Sequence, residues 1–244
     1  HCLSSAASDV YKRQVAISTN KVEETVKALK YSAKELEFNK IIFFTNEPNF
    51  DDFECIKIPS LKDVIQYNNI VLGLNKYIDS EHALIIQHDG HIVNPNMWSD
   101  EFLKYDYIGA PWPDDVEWNK RWNNYPPEMS KTIINNLSIN RIGNGGFSLR
   151  SKKFLEYADS FEKDFLKHGV PEDIFLNVLN FELSIDKTIK YPNVETAMKF
   201  SYETPLKGYK FQKPKRYHYF NLKRHFGWHG NHFLNANKLN NLKY

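Results

Sequence analysis

What this sequence has little of narrows its chemistry before any motif is considered. Of its two cysteines, Cys2 falls in an N-terminal stretch that does not read as native protein, so Cys55 is left alone. A lone cysteine excludes an intrachain disulfide and suits a reducing, cytoplasmic compartment. No apolar stretch approaches the roughly 18–20 residues that a membrane span requires, so no transmembrane segment is expected. Charge of either sign is not in excess, with 32 Lys and Arg against 30 Asp and Glu, and nothing in that balance demands a nucleic-acid partner. Neither a G-x-x-x-x-G-K nor a G-x-G-x-x-G run is present, which removes the phosphate-loop and dinucleotide fingerprints. Internal repeats are absent as well.

Residues 1–14 read as a non-native adapter scar. Asp9-Val10-Tyr11-Lys12-Arg13-Gln14 resembles the translated end of a transposase adapter, and residues 4–8 have no apolar period. Without the scar the net charge is about +1. The remainder then starts inside a strand, so a few residues of the true N-terminus are expected to be missing, and a lost signal or anchor stays open. Residues 15–233 are expected to form a single domain, and residues 234–244, rich in Asn and Lys, a frayed tail. A hydrophobic content of 41% is enough for a full core. The 14 Tyr, 17 Phe and 5 Trp suit a sugar or nucleoside site and equally an ordinary aromatic core.

Periodicity gives the outline of a fold. Residues 15–18 read as a strand, and residues 22–37 as a helix with Val22, Val26, Leu29, Ala33 and Leu36 on one face. Ile41-Ile42-Phe43-Phe44 is a second short buried strand ahead of the turn-like Thr45-Asn46-Glu47-Pro48. Residues 56–58 make a third strand, 66–78 a helix, and Ala83-Leu84-Ile85-Ile86 a fourth strand. This alternation predicts a mostly parallel sheet covered on both faces. Past residue 110 the pattern loosens into a Trp, Asn and Pro-rich stretch ending at Pro127, and a loop of that length is more often functional than idle. Residues 147–150 form a strand after a Gly-rich turn, residues 152–167 a helix, and residues 174–180 another helix opened by Pro171.

Four short polar motifs carry the chemistry: Gln87-His88-Asp89-Gly90-His91, Gly143-Asn144-Gly145-Gly146, Pro171-Glu172-Asp173 and Gly227-Trp228-His229-Gly230. The first closes the fourth strand, where an open α/β sheet builds its ligand crevice. Asp89 and His91, two residues apart beyond a strand end, can share one divalent cation with a diphosphate. The carboxylate is the hard ligand that Mg or Mn takes, and the imidazole favours Mn. The plain alternative is a surface turn with an Asx bond and a solvated His91. The glycines at 143, 145 and 146 let a ligand approach the backbone, with Asn144 to orient it, or they simply make a tight turn. Glu172 and Asp173 supply a general base and its orienting partner, or cap a helix. His229 reads as a third metal ligand brought in by the C-terminal segment, or as an exposed His between glycines. Residues 207–224 hold seven Lys and Arg among aromatics, which suits a phosphate clamp or a solvated face.

In this order, strand-Q-x-D-G, then Tyr105-Asp106-Tyr107-Ile108-Gly109-Ala110-Pro111-Trp112-Pro113, then G-N-G-G-F-S-L-R-S, E-D and F-G-x-H-G, the chain resembles the glycosyltransferase-like group called domain of unknown function 5672, over residues 15–232. More distantly it resembles the GT-A nucleotide-sugar transferases. The resemblance implies a GT-A-like three-layer α/β/α sandwich on a mostly parallel sheet. It implies transfer of a sugar from a nucleotide-sugar, UDP-linked by analogy, to a hydroxyl of a glycan, lipid or protein acceptor, with inversion and with Mn2+ or Mg2+ as cofactor. In that family an Asp-x-Asp turn holds Mn and the diphosphate. Asp89 matches the first Asp, and His91 stands where the second is usual.

Carried over residue by residue, Asp173 is the base and Glu172 binds acceptor. Asn144, Gly145, Gly146 and Trp112 lie on the substrate side, and His229 completes a metal shell with Asp89 and His91. Thr19 and Asn20 face the nucleotide with Asp89 and Gly90, and Arg141, Arg150 or Lys223 assists the leaving group. The departure at His91 leaves a non-catalytic carbohydrate-binding or scaffold protein on the same fold as the alternative. A nucleotidyltransferase would need a second metal-binding carboxylate and a phosphate loop, and neither is visible.

Overall fold

The computed structural model describes residues 13–36, 38–161, 169–204, 206 and 224–230. Its first half alternates as the apolar runs require: β1 (Arg13–Ile17), α1 (Val22–Glu35), β2 (Lys40–Thr45), β3 (Glu54–Lys57), α2 (Val64–Leu72) and β4 (His82–Ile86). There follow β5 (Gly90–Ile92), β6 (Tyr107–Gly109), α3 (Val116–Asn119), α4 (Pro127–Leu137), β7 (Phe147–Ser151) and α5 (Lys152–Asp159). The last elements are α6 (Glu172–Ile174), α7 (Phe181–Asp186), α8 (Val194–Phe200), β8 (Ser201–Tyr202) and β9 (Gly227–His229).

Six strands form the central sheet in the order β3-β2-β1-β4-β7-β6. The first four in that order pair in parallel, and β7 lies antiparallel to both β4 and β6. β6 therefore runs with the first four, and β7 alone is reversed, so the sheet is mostly parallel. Side chains alternate across the pleat. Ala16 and Phe43 meet Val22 and Leu29 of α1 on one face, while Val15, Ile17, Ile42, Phe44 and Ile85 meet Val71 of α2 and Leu155 of α5 on the other. Helices on both faces make the three-layer sandwich that buried parallel strands need. Burying a side chain such as Phe43 or Phe44 completely contributes about 1.5–3 kcal/mol.

A second, small sheet in the order β5-β9-β8 ties the C-terminal segment to the turn that follows β4. It is anchored by aromatic packing, with Phe226 against Phe147, Phe200 and Trp98. Gly227 lies on the Phe147 ring so closely that any Cβ would overlap it.

Several boundaries differ from the sequence pattern, each for a local reason. β1 begins at Arg13, and Arg13 and Gln14 pair with Lys40 and Ile41 because strand pairing uses only backbone groups. The Gln14 side chain is buried there with both amide atoms unpartnered. α2 starts earlier than expected because Asp63 caps it, accepting from the Gln66 amide at 2.8 Å, and it stops at Gly73, which leads into a 3-10 turn. The helix opened by Pro171 passes into a π-turn at Phe175–Leu179. The Trp-rich stretch is not one open loop: it holds α3 and a 3-10 turn, and α4 follows it, with Ile133 and Leu137 packed on Trp112 and Trp122. β5, β6, β8 and β9 are too short to show a period. Among the described residues no helix is long and apolar enough to cross a membrane. Residues 1–12, expected to be an adapter scar, the basic residues 207–223 and residues 231–244, which include the expected tail, lie outside the described residues.

Candidate active site

The site is built at the C-terminal ends of β1 and β4, where the sheet leaves a crevice. After β4 the backbone of Gln87 is fixed twice, its amide donating to Gly146 O at 2.8 Å and its carbonyl accepting from Gly90 N at 2.9 Å. This turn presents His88 and Asp89. β9 lies against β5 with His229 opposite Gly90, and Gly230 N donates to Asp89 O at 3.1 Å. His229 is thereby carried over Asp89. Its Nε2 lies 3.3 Å from Asp89 Oδ1 and 3.3 Å from Gln87 Oε1, and its Nδ1 lies 3.2 Å from Glu203 Oε1 and 2.9 Å from Asn144 Nδ2. A Cβ on Gly146 would overlap the imidazole, so position 146 must lack a side chain.

Burial opposes charge on both Asp89 and His229, and their mutual attraction outweighs it. Asp89 is held down at about 2, and His229, which Glu203 also attracts, is pushed up to about 10. The two partners of His229 Nδ1 make opposite demands. Asn144 Oδ1 accepts from Phe147 N at 3.3 Å, which turns the Asn144 NH2 group toward the ring. In the charged ring Nδ1–H donates to Glu203, and only in the neutral ring can Nδ1 instead accept from Asn144.

Across the 143–146 loop lies a second charged group. Asp173 Oδ2 accepts from Gly145 N at 2.9 Å and its Oδ1 from Ile174 N at 2.8 Å. Glu172 is buried, its backbone amide held by Asn68 Oδ1 at 3.1 Å and its Oε1 paired with Arg150 Nη2 at 2.8 Å. Arg150 is fully buried, its guanidinium 5.3 Å from the centre of the Tyr107 ring. Burial first, and then the charge of Glu172, push Asp173 up to about 7, against the pull of the Gly145 and Ile174 amides. A Cβ on Gly145 would stand 2.6 Å from Glu172 Oε1, so this glycine too is required by what packs on it. The Tyr107 hydroxyl pins the loop from behind at Gly143 O and Asn144 O, 2.6 and 2.9 Å away.

A cavity of about 430 Å³ opens beside these groups. Thr19 and Asn20 line it after β1, Gln87 and His88 after β4, and Glu172 and Asp173 across the crevice. Thr19 Oγ1 accepts from Leu61 N at 2.8 Å, which ties that loop to the start of α2.

The structure thus brings Thr19, Asn20, Asp89, Gly90, Asn144, Gly145, Gly146, Glu172, Asp173 and His229 to one end of the sheet. It does not bring His91 there. Gly90 begins a strand, so His91 pairs with Trp228 and points to the face opposite His229. Its ring is buried edge-on to Tyr31 at 5.7 Å, and burial pushes its pKa down to about 4. Trp112, expected on the substrate side, is 5% exposed, its ring wedged under Gly143 among Trp122, Ile133 and Ile174. Asn144 spends its amide on His229 and Phe147, and Glu172 is committed to Arg150 instead of an acceptor. Of the cations expected at the leaving group, Arg150 is consumed by Glu172, and Arg141 donates to Trp112 O at 2.7 Å and faces Asp114. Lys223 lies outside the described residues. Among the described residues no three His, Cys, Asp or Glu side chains group as a metal site.

Sequence reasoning missed Glu203 and gave Gln87 no role. Glu203 follows a two-residue strand, and only the register of Tyr202 with Trp228 sets it beside His229. No spacing signal announces that.

A family model described as Protein of unknown function (DUF5672) matches residues 52–218. No curated protein matches the chain. Solved structures match at low identity. A glycosyltransferase involved in the glycosylation of the major capsid of PBCV-1 is 12% identical, over 94% of this chain and 97% of that one, with a TM-score of 0.49. The galactosyltransferase LgtC, in complex with donor and acceptor sugar analogs, is 10% identical over 89% and 86%, with a TM-score of 0.42. The bifunctional IspDF from Campylobacter jejuni is 13% identical over 72% of this chain, which spans 53% of that protein's length, with a TM-score of 0.39.

Proposed function

This chain belongs to the DUF5672 family, and from that premise and the geometry of its site we propose that it is a glycosyltransferase using a nucleotide-sugar donor, with Asp173 as the base. The observation that carries this reading is the placement of Asp173, a carboxyl poised at about 7, on the same cavity as the Thr19-Asn20 loop. A general base works best with a pKa near the operating pH.

The nucleotide lies against Thr19 and Asn20, and the sugar reaches toward Asp173. Asp173 takes the proton of an acceptor hydroxyl as that oxygen attacks the anomeric carbon. The bond from that carbon to the diphosphate oxygen breaks, and its electron pair leaves with the diphosphate, inverting the centre. Gly145 N–H fixes the carboxylate, and Arg150 locks Glu172 beside it, so that the two acids divide into one that reacts and one that orients.

A divalent cation fits the residues present, because Asp89 Oδ1 is buried with no closer partner than the His229 imidazole nitrogen at 3.3 Å. The mixed oxygen and nitrogen donors suit Mn2+. When bound it neutralises charge on the departing diphosphate. Asp89 and His229 would hold it.

Thermal unfolding in the presence of UDP-, GDP- and CMP-sugars, each with Mn2+, Mg2+ or EDTA, tests the reading. Stabilisation by one nucleotide class that EDTA removes is expected. No shift with any donor would overturn it in favour of a non-catalytic carbohydrate-binding protein.

A further inference from the structure

The turn after β4 carries a donor that a count of acids and histidines passes over. Gln87 Nε2 donates to the Tyr67 hydroxyl at 2.8 Å, which aims Oε1 at His229, 3.3 Å from Nε2. Asp89 Oδ1 lies at the same 3.3 Å from the same nitrogen, buried and without a hydrogen bond. Charge-assisted N–H to oxygen bonds close to about 2.7–2.9 Å, and these two contacts do not. Donor atoms held about 2.1 Å from a divalent cation stand about 3.0 Å apart at octahedral right angles and about 3.4 Å apart in a tetrahedron. At 3.3 Å both contacts are long for hydrogen bonds and fall within the range of ligands around one cation.

We propose that Gln87 is a protein ligand of a divalent cation held with Asp89 and His229, in the place that motif spacing gives to His91, and that Glu203 is the positioning residue that turns His229 Nε2 toward it. The role of Glu203 follows from the tautomer. In the neutral ring, when Nδ1–H donates to Glu203 Oε1, the Nε2 lone pair is free for a cation, and a carboxylate behind a metal-bound histidine is the usual way to fix that state. When Nδ1 accepts from Asn144, Nε2 carries the proton and cannot bind. Gly146 leaves the room that the ring needs.

This deepens the transferase reading and rests on it only for the cation's neighbour, so the test uses Mn2+ alone. Free Mn2+ is measured by electron paramagnetic resonance during titration of the metal-free protein, with circular dichroism confirming that each variant is folded. Wild type is expected to bind one ion, Gln87→Ala to bind at least about tenfold more weakly, and Gln87→Glu to recover affinity by restoring the oxygen donor. His91→Phe, which keeps the ring against Tyr31, is expected to bind as wild type does. Glu203→Ala is expected to lose the imidazole nitrogen coupling in the Mn2+ echo-modulation spectrum, a signature that a purely structural role would not remove.

Wild-type affinity in Gln87→Ala, loss of affinity in His91→Phe, or no binding to wild type would overturn the ligand set. An unchanged nitrogen coupling in Glu203→Ala would overturn the positioning role. Gln87-dependent binding of Mn2+ without any donor effect would leave this cation site standing and sink the transferase. Sugar transfer undiminished in EDTA would do the reverse.

Discussion

Two largely buried acid clusters face each other across the 143–146 loop, and they differ in how their charges are matched. On one side Asp89 and Glu203 flank His229, two carboxylates around one imidazole. On the other, Arg150 Nη2 pairs with Glu172 Oε1, and Asp173 has only amide donors. The first cluster keeps its carboxylate ionised, with Asp89 at about 2, while the second lets burial push Asp173 up to about 7. The same residue type is suited to holding a cation in one place and to moving a proton in the other, and the counter-charge decides which.

The sharpest way to break this comparison is to remove Asp89, the carboxylate proposed to hold the cation. Asp89→Ala should weaken Mn2+ and nucleotide-sugar binding together, the former by at least about 100-fold, measured by calorimetry. Unchanged metal-dependent affinity would take Asp89 out of the site. The next largest effect is expected on pH dependence. Transfer should rise as pH passes through about 7, where Asp173 becomes ionised, and Glu172→Gln should move that rise to lower pH by removing the negative neighbour. The double variant Arg150→Gln with Glu172→Gln should shift the same way without stranding a buried cation, and a profile unmoved in both would separate Asp173 from the base role.

Stability carries the same signature. The folded Asp173 holds a proton that the unfolded chain has already released, so stability should fall as pH rises from about 4 to about 7, and Asp173→Asn should flatten that slope in denaturant titrations. Smaller again, Gly146→Ala forces a Cβ into the His229 ring and should cost about 1–3 kcal/mol along with Mn2+ affinity, whereas Gly73→Ala, where a Cβ meets nothing closer than 3.6 Å, should leave Mn2+ affinity alone. The smallest change lies at the far end of the sheet. Gln14→Val replaces a buried amide without partners and should stabilise the protein by about 1–2 kcal/mol in the same titrations.

That last position also shows where a sequence is legible. The apolar runs at Val15, Ile42 and Ile85 read directly as parallel strands because burial on both faces leaves no other residue type. Asp89, Asp173, Thr19 and Asn20 were placed by their position after strand ends or at a helix start, which short-range pattern does encode. His91 was misplaced because Gly90 starts a strand, and strand alternation turns the next side chain away. Trp112 was expected on the substrate side, whereas its ring packs where a side chain at Gly143 would stand. Glu203 reaches His229 only through pairing of β8 with β9, a long-range register that composition and spacing do not carry.

The measurement that bears most directly on the central claim is the comparison of wild type with Asp173→Asn in donor binding and in transfer to an acceptor hydroxyl. Donor affinity unchanged and transfer lowered by about 10²–10⁴-fold is the expected result for a general base. Full transfer in Asp173→Asn, or loss of donor binding in step with activity, would contradict it.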